Sequence, residues 1–476
     1  MCYPLATIFN LSVSRGEYPF LLKFNNVLPV YKHKGDKNSV TSYRPISLQP
    51  VVSKVFEKIV NRALRQHLKC LIRDQQHGFC PNKSTLTNLS CYSDFITSVL
   101  DDRAQVHSIY TDFHKAFDTV SHDYLLLKMS NNFGIGGDNL KWFRSYLSDR
   151  FQRVVLSGIE SEWVPVPSGV PQGSILGPSL FLMYVNDIPD CFRSSECLLF
   201  ADDVKIFKKI KRVEDCRDLQ SDLTAFSSWC SKWKMSLNLE KCFFVNFSLK
   251  RSLNIIFDYA INDRILSHVS EVKDLGVIFD SNMSFSTHID TVVKKSLRML
   301  GFVRRTMKGF HDIDVLKILF STHVRSPLDY CSPIWSPNAK CHINKIERVQ
   351  KRFVKHLCFI SQISFSNDDY LKLCTQFGLT SLETRRKMSD LIFLNKILHS
   401  RVNCSHLVSS IFFNLPVKRT RHTNVLTCAQ RSRIGVRKHG FLPRTIDLAN
   451  NMPQLDFFDL NLHRFKSDVI ASFNDI

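Results

Sequence analysis

The chain reads as an α+β core followed by an α-rich, basic C-terminal region. Two observations predict this. Apolar runs of strand length alternate with helical periodicity up to about residue 280, and from about residue 285 onward the pattern is mostly helical and basic. No internal repeat or low-complexity tract interrupts it. At 476 residues the chain exceeds one ordinary domain, and about two to four are expected.

The elements follow in order. Residues 1–36 are mixed, ending in the apolar run Val27-Leu28-Pro29-Val30-Tyr31 and the basic turn Lys32-His33-Lys34-Gly35-Asp36. Ser53 is expected to cap a helix whose apolar residues Val55, Phe56, Ile59, Val60, Ala63, Leu64 and Leu68 recur at helical spacing. Residues 84–101 predict a second helix. Val106 to Asp112 reads as a strand ending on an acid, and residues 121–149 as helix broken at Gly134, Gly136 and Gly137. A β segment with a Pro/Gly turn follows at 151–173, then a helix over Phe181–Ile188. Leu198-Leu199-Phe200 and Val204 to Phe207 are two apolar runs around Asp202-Asp203, the pattern of a hairpin with both acids at its turn. Residues 211–237 suit an amphipathic helix.

Lys and Arg total 64 against 43 Asp and Glu, a formal charge of +21, with a pI of about 9.4. Such a surplus favours a polyanionic partner, nucleic acid before an anionic membrane. The cations cluster: Lys294, Lys295, Arg298, Arg304, Arg305 and Lys308; Lys345, Arg348, Lys351, Arg352 and Lys355; Lys418, Arg419, Arg421, Arg431, Arg433, Arg437 and Lys438. The 15 cysteines contain no Cys-x-x-Cys, so neither a zinc module nor a disulfide framework is expected, and most read as reduced core residues. No secretory pattern and no long uncharged apolar run is present, so a soluble intracellular chain without a membrane partner is the expectation, in nucleus and cytoplasm and with no clear targeting signal. Nothing in the sequence specifies an oligomeric state.

The chemistry gathers around Asp202-Asp203. Adjacent carboxylates repel, and a hard divalent cation such as Mg²⁺ is the usual resolution. By itself the dipeptide reads first as an ordinary Asp-Asp turn. Asp112, at the end of its own apolar strand, supplies a third carboxylate. Three acids at strand ends can share two metal ions roughly 4 Å apart, the arrangement for in-line displacement at a nucleoside triphosphate. Asp118 reads as a cap. Gly169-Val170-Pro171-Gln172-Gly173-Ser174-Ile175-Leu176-Gly177-Pro178 is a Gly/Pro loop entering an apolar helix, where glycines permit close approach of a ligand and a helix N-terminus favours phosphate. Lys32, Lys34 and Arg44 could supply cations to a triphosphate.

In this order the segments resemble reverse transcriptases of non-LTR retrotransposons, in particular the jockey-like branch. The matching blocks are Ser42-Tyr43-Arg44-Pro45-Ile46-Ser47-Leu48, Gln76-His77-Gly78-Phe79, Asp112 to Val120, Gly169 to Pro178, Tyr184-Val185-Asn186-Asp187-Ile188 and Phe200-Ala201-Asp202-Asp203. Leu237-Asn238-Leu239-Glu240-Lys241-Cys242, Asp274-Leu275-Gly276-Val277, Leu328 to Pro337 and Ile346 to Arg352 continue the match over nearly the whole chain. The resemblance implies a right-hand polymerase: fingers at 1–100, N-terminally truncated; palm with interleaved fingers elements at 101–250; primer-grip hairpin and thumb at 251–335; basic C-terminal region at 336–476.

It also implies roles. Asp112, Asp202 and Asp203 would be the catalytic metal ligands, with the Phe113 carbonyl beside them. Arg44, with Lys32 or Lys34, would hold the triphosphate. Phe117 would be the aromatic gate that excludes a 2′-hydroxyl, Gln172 and Gly173 would line the nucleotide pocket, and Lys241 would stand near the leaving pyrophosphate. Leu275 and Gly276 would form the primer grip. The implied partners are an RNA template, a DNA primer or target and dNTPs, and the implied cofactor is two Mg²⁺, with Mn²⁺ as substitute. Relatives carry an endonuclease domain upstream, so the chain is expected to be a truncated copy. Ala449 stands where the family usually has Trp. The competing expectation is an inactive nucleic-acid-binding remnant; a palm-type nucleotidyl cyclase is disfavoured by the Arg44 block and the basic tail.

Overall fold

The computed structural model describes residues 2–249, 255–413, 426–428 and 432–474. The chain begins with α1 (Cys2–Arg15), β1 (Phe24–Tyr31), β2 (Tyr43–Leu48), α2 (Val51–Leu68), α3 (Thr85–Asp101) and β3 (Gln105–Thr111). Next come α4 (His122–Phe133), α5 (Gly137–Leu147), β4 (Phe151–Leu156), β5 (Ile159–Glu160), β6 (Val164–Pro165) and α6 (Gly177–Val185). The hairpin β7 (Glu196–Phe200) and β8 (Asp203–Ile210) leads through α7 (Val213–Lys232) to β9 (Phe243–Phe247). Short strands follow: β10 (Ala260–Ile261), β11 (Arg264–Ile265), β12 (Ser267–His268), β13 (Glu271–Asp274) and β14 (Val277–Asp280). The remainder is mainly helical: α8 (Ser286–Thr306), α9 (Ile313–Leu319), α10 (Ser326–Asp329), α11 (Ser332–Trp335), α12 (Lys340–Ile360), α13 (Tyr370–Gln376), α14 (Leu382–Leu398), α15 (Ser405–Ser409), α16 (Gly435–Lys438), α17 (Phe441–Asn450) and α18 (Leu462–Asn474).

One sheet has the order β12-β9-β3-β8-β7, with β3 antiparallel to both neighbours. Because both of its faces are covered by helices, alternate residues of the same strand enter different cores, and the strands read as continuous apolar runs. Val106, Phe207, Val245 and Phe247 join α3, α8, α12, α14 and α17 in one core. Ile109, Val204, Ile206 and Phe244 join α2, α4, α5, α6 and α7 in the other. The second sheet, β2-β1-β4-β5 with β6 on β4, brings residues 151–165 back beside the N-terminal hairpin. There β1 is antiparallel to β2, with Val30 opposite Arg44, and parallel to β4.

Several expectations are corrected. Ser53 caps nothing: α2 already starts after Pro50, whose fixed φ leads into the first turn, and the buried Ser53 hydroxyl lies 2.7 Å from the Tyr18 hydroxyl. The stripe that α2 buries is Ser53, Phe56, Glu57, Asn61, Leu64 and Leu68, whereas Val55 and Ile59 are exposed. Of the third basic cluster, Lys418, Arg419, Arg421 and Arg431 lie outside the described residues. Arg437 is no free surface cation, for it is buried 2.5 Å from Asp94 of α3. Among the described residues no helix is long and apolar enough to cross a membrane.

Candidate active site

The β7–β8 hairpin closes with Phe200 opposite Asp203, leaving Ala201 and Asp202 at its tip. Ala201 has φ +58°, a left-handed conformation that alanine adopts only when its surroundings enforce it. Gln76 enforces it. Its Oε1 accepts hydrogen bonds from Ala201 N at 2.9 Å and Gly78 N at 2.8 Å, and its Nε2 donates to Ala201 O at 3.3 Å. A Cβ on Gly78 would stand 2.2 Å from Ala201 N, so only glycine passes the turn this closely. The Gln76-His77-Gly78 block is therefore the seat of the acidic turn. Its sequence signal was a block of the family resemblance without a chemical partner in view.

Asp112 follows β3, whose last residue Thr111 faces Val204 of β8, so the third acid is carried to the same edge as Asp202 and Asp203. Lys241 sits in the 3₁₀ turn before β9 and places Nζ 2.7 Å from Asp112 Oδ2. Next to Asp112, Phe113 bridges to Leu237, and its ring is buried near Phe226. Asp112, Asp203, Lys241, Lys273, Asp274 and Leu275 border a cavity of about 380 Å³. Burial, then the charges of Asp202, Asp274 and Asp112, push the Asp203 carboxyl up to about 7, although the side chain keeps an open edge toward the cavity. Asp202 is also raised, by burial first and then by Asp112, with Arg44 and Lys241 opposing. Among the described residues no three His, Cys, Asp or Glu side chains gather closely enough to hold a metal ion between them. The chemistry of the donor set fits one: all-oxygen and like-charged, with the carboxylates near enough that the fields of Asp202 and Asp112 help raise Asp203.

Leu275 and Gly276 form the two-residue turn between β13 and β14, with φ of +43° and +92° as a type I′ hairpin requires. The Tyr330 hydroxyl donates to Leu275 O at 2.8 Å and its ring closes over Gly276. Immediately before the turn, Asp274 receives Lys205 Nζ at 2.5 Å and the Tyr110 hydroxyl at 3.3 Å. Lys205 carried no signal as a site residue, and Asp274 stood in the Asp274-Leu275-Gly276-Val277 block without a role of its own.

Phe117 lies beyond Asp112 with its ring stacked on Phe181 at 4.4 Å and edge-on to Phe79 at 6.2 Å. Its carbonyl accepts from Val170 N at 2.8 Å, which ties it to the Gly/Pro loop. Ser47 N of β2 donates to Gln172 O at 2.7 Å, and a Cβ on Gly173, whose φ is +110°, would stand 2.7 Å from Ser47 O. The glycine that reads as a place for ligand approach instead admits the backbone of β2. The expected phosphate site at the start of α6 is likewise filled from within. Glu57 Oε2 accepts from Ile175 N at 2.9 Å and Leu176 N at 3.1 Å, while its Oε1 accepts from Tyr146 at 2.9 Å and Gln49 at 2.5 Å. A carboxylate at a helix N-terminus satisfies the amides and the dipole that phosphate would have used. Ser53, Glu57 and Asn61 recur every four residues, a polar row inside the apolar stripe that could have signalled this role. Asp118 caps nothing either: α4 starts after Ser121, and burial raises the Asp118 carboxyl against the opposing fields of Lys115 and Lys32.

Arg44 is exposed on β2, yet its field reaches Asp202, so the β1–β2 hairpin overlooks the acidic turn. Lys32 donates to Thr41 O at 2.8 Å just beyond β1, and Lys34 is exposed at the hairpin tip.

A sheet flanked by helices, with acids at the ends of two adjacent strands and a second hairpin beside them, defines a right-hand polymerase palm. The chain belongs to the reverse transcriptase (RNA-dependent DNA polymerase) family, whose pattern matches residues 32–303. It is 27% identical over 365 residues to the probable RNA-directed DNA polymerase from transposon BS of Drosophila melanogaster, covering 74% of this chain and 40% of that one. To the RNA-directed DNA polymerase from mobile element jockey of the same organism it is 28% identical over 369 residues, covering 74% and 39%. The chain thus spans about two fifths of these relatives. Among solved structures, apo telomerase from Candida tropicalis is similar with a TM-score of 0.42 and 11% identity, covering 80% of this chain and 66% of that one.

Proposed function

We propose that this chain is an RNA-directed DNA polymerase that extends a DNA primer on an RNA template with dNTPs. The observation that carries the reading is the placement of Asp112, Asp202 and Asp203 on adjacent strands at one edge of the palm, beside the Leu275-Gly276 turn. Asp112, Asp202 and Asp203, with the Phe113 carbonyl, are the residues that would hold divalent cations, two Mg²⁺ with Mn²⁺ as substitute. Bound there, such ions would activate the primer 3′-oxygen and stabilise the leaving pyrophosphate.

The chain's own residues supply the rest. Arg44, with Lys32 or Lys34, grips the triphosphate from the β1–β2 hairpin. Phe117, braced by Phe181 and Phe79, lies under the sugar and rejects a 2′-hydroxyl by contact. Gln172 borders the nucleotide on the loop that Glu57 holds and that Gly173 lets pass close to β2. Lys241 stabilises negative charge next to Asp112 and the departing pyrophosphate. Leu275 and Gly276 carry the primer end to the cavity. On this reading 1–100 are fingers, 101–250 palm with interleaved fingers strands, 251–335 primer grip and thumb, and 336–476 a basic C-terminal region.

The test is primer extension on poly(rA)/oligo(dT) with Mg²⁺ or Mn²⁺. Incorporation by the natural chain and its loss in Asp202→Ala are expected. Equal, background incorporation by both would remove the polymerase reading.

A further inference from the structure

The helices that follow the palm carry a second basic feature, remote from the acids. Helices α8 and α12 pack side by side and run parallel: Ser286 Oγ lies 3.2 Å from His342 Nε2, Asp290 is paired with Lys345 at 2.8 Å, and farther along burial, then the field of Arg304, depress the pKa of His356. Their C-terminal ends border a cavity of about 450 Å³ lined by Arg304, Arg305, Lys308, Phe310, His356 and Phe359, among others, with no Asp or Glu. Phe359 is 81% exposed and Phe310 44% exposed. Large aromatics this open beside unpaired cations have an unspent stacking face.

The cations extend away from the groove in rows. Arg348, Arg352, Lys355 and Phe359 are all exposed at spacings of three and four residues along α12, and Lys294, Arg298 and Arg305 are exposed along α8. On a helix this spacing repeats about every 5–6 Å, a line of charge that suits a linear polyanion more than a plane. The groove is separate from the catalytic cavity. The first turn of α8 touches β14, where His288 Nδ1 accepts from Ile278 N at 3.3 Å. Arg304 lies sixteen residues further along, about 24 Å at the helical rise.

We propose that this groove binds an unpaired stretch of nucleic acid, with Arg304, Arg305 and Lys308 on phosphates and bases stacked on Phe310 and Phe359. Duplex presents no free base face, so the aromatics select single strands, while the cations alone would accept either. The proposal rests on the polymerase reading for its biological sense, since an RNA template must be held unpaired ahead of synthesis. Its measurement needs no incorporation.

Fluorescence anisotropy with a short unpaired RNA, a matching DNA strand and a blunt duplex tests it. The Phe310→Ser/Phe359→Ser variant should weaken single-strand binding on the order of tenfold or more and leave duplex binding and the salt dependence unchanged. The Arg304→Gln/Arg305→Gln/Lys308→Gln variant should lower the slope of log affinity against log salt by about 2. A 4-thiouridine RNA should crosslink within residues 301–311 or 352–360. Single-strand binding unchanged in the Phe variant, or crosslinks found only elsewhere, would overturn the proposal. So would loss of flotation with phosphatidylserine vesicles in the Phe variant while RNA binding persists. If the natural chain binds and crosslinks here but incorporates nothing, the groove stands and the polymerase reading falls.

Discussion

Lys205 Nζ stands 2.5 Å from Asp274 Oδ2, and the two residues are only 4% and 7% exposed. Lys205 is two residues past the acidic turn and Asp274 immediately precedes the Leu275-Gly276 turn, so one buried ion pair joins the two hairpins that border the cavity. The Tyr92 ring, 4.4 Å from the ammonium, and the Tyr110 hydroxyl complete its surroundings. Removing one partner strands the other charge. Lys205→Met or Asp274→Asn should therefore each destabilise by about 3–5 kcal/mol in urea unfolding. The double variant Lys205→Met/Asp274→Leu should regain much of that stability, because an apolar pair carries no unpaired charge. Primer extension should stay low in the double variant, since the hairpins lose their fixed offset. Full activity in a stably folded double variant would mean the pair does not position the site.

Gln76 makes a second prediction. Gln76→Ala leaves Ala201 N and Gly78 N without partners, a loss of about 1–3 kcal/mol. The kinetic loss should be larger, up to roughly 100-fold in kcat, because the φ of Ala201 relaxes and carries Asp202 with it. Steady-state kinetics separates the two: an effect confined to dNTP KM would count against a role in placing the acids. Gly78→Ala, which drives a methyl into the Ala201 backbone, should be the more severe change.

Phe117 tests the sugar gate. Phe117→Ala opens the space beside Phe181 and should raise rNTP use relative to dNTP on the order of tenfold or more, read from competing single-nucleotide incorporations. An unchanged ratio would leave Phe117 as a packing residue of the Phe79–Phe181 cluster.

Acid sensitivity follows from histidines buried as neutral rings. Burial lowers the pKa of His77 to about 3 and those of His107 and His288 to about 4. Above the unfolded value of about 6.5 both states are neutral and these groups do not alter stability. As pH falls below it the unfolded chain takes protons first, so stability declines until the folded pKa values are reached, by up to about 2 kcal/mol per ring at pH 5. Asp203, raised to about 7, works in the opposite sense over part of this range, so the informative comparison is between chains. His288→Asn should show a shallower loss of urea midpoint between pH 7.5 and pH 5 than the natural chain. Parallel pH curves for the two would refute the assignment to His288.

The acids were legible in the sequence because their chemistry is local: two carboxylates between apolar runs, and a third at the end of another run. The β7–β8 hairpin, α3 and the break between α4 and α5 were legible for the same reason, since period and punctuation act within a few residues. What holds the site was not. Lys205 and Asp274 are 69 residues apart, and Gln76 meets Ala201 across 125. Such pairings exist only once the sheet is assembled. The phosphate expectation at α6 failed through the same blindness, because a helix start looks free until Glu57, 118 residues earlier, arrives to fill it.

The C-terminal helices share one core with the palm sheet, and α3 is sealed by them: Asp101 accepts from Arg433 N and Ile434 N, each at 2.8 Å, and Arg437 is buried against Asp94. Palm and tail should therefore melt as one unit, and a chain ending at residue 335 that stayed soluble and extended primers would contradict this. Every proposed catalytic residue stands before residue 280, yet a truncation that removes Arg433, Ile434 and Arg437 is expected to strip α3, and with it the palm core, of its cover.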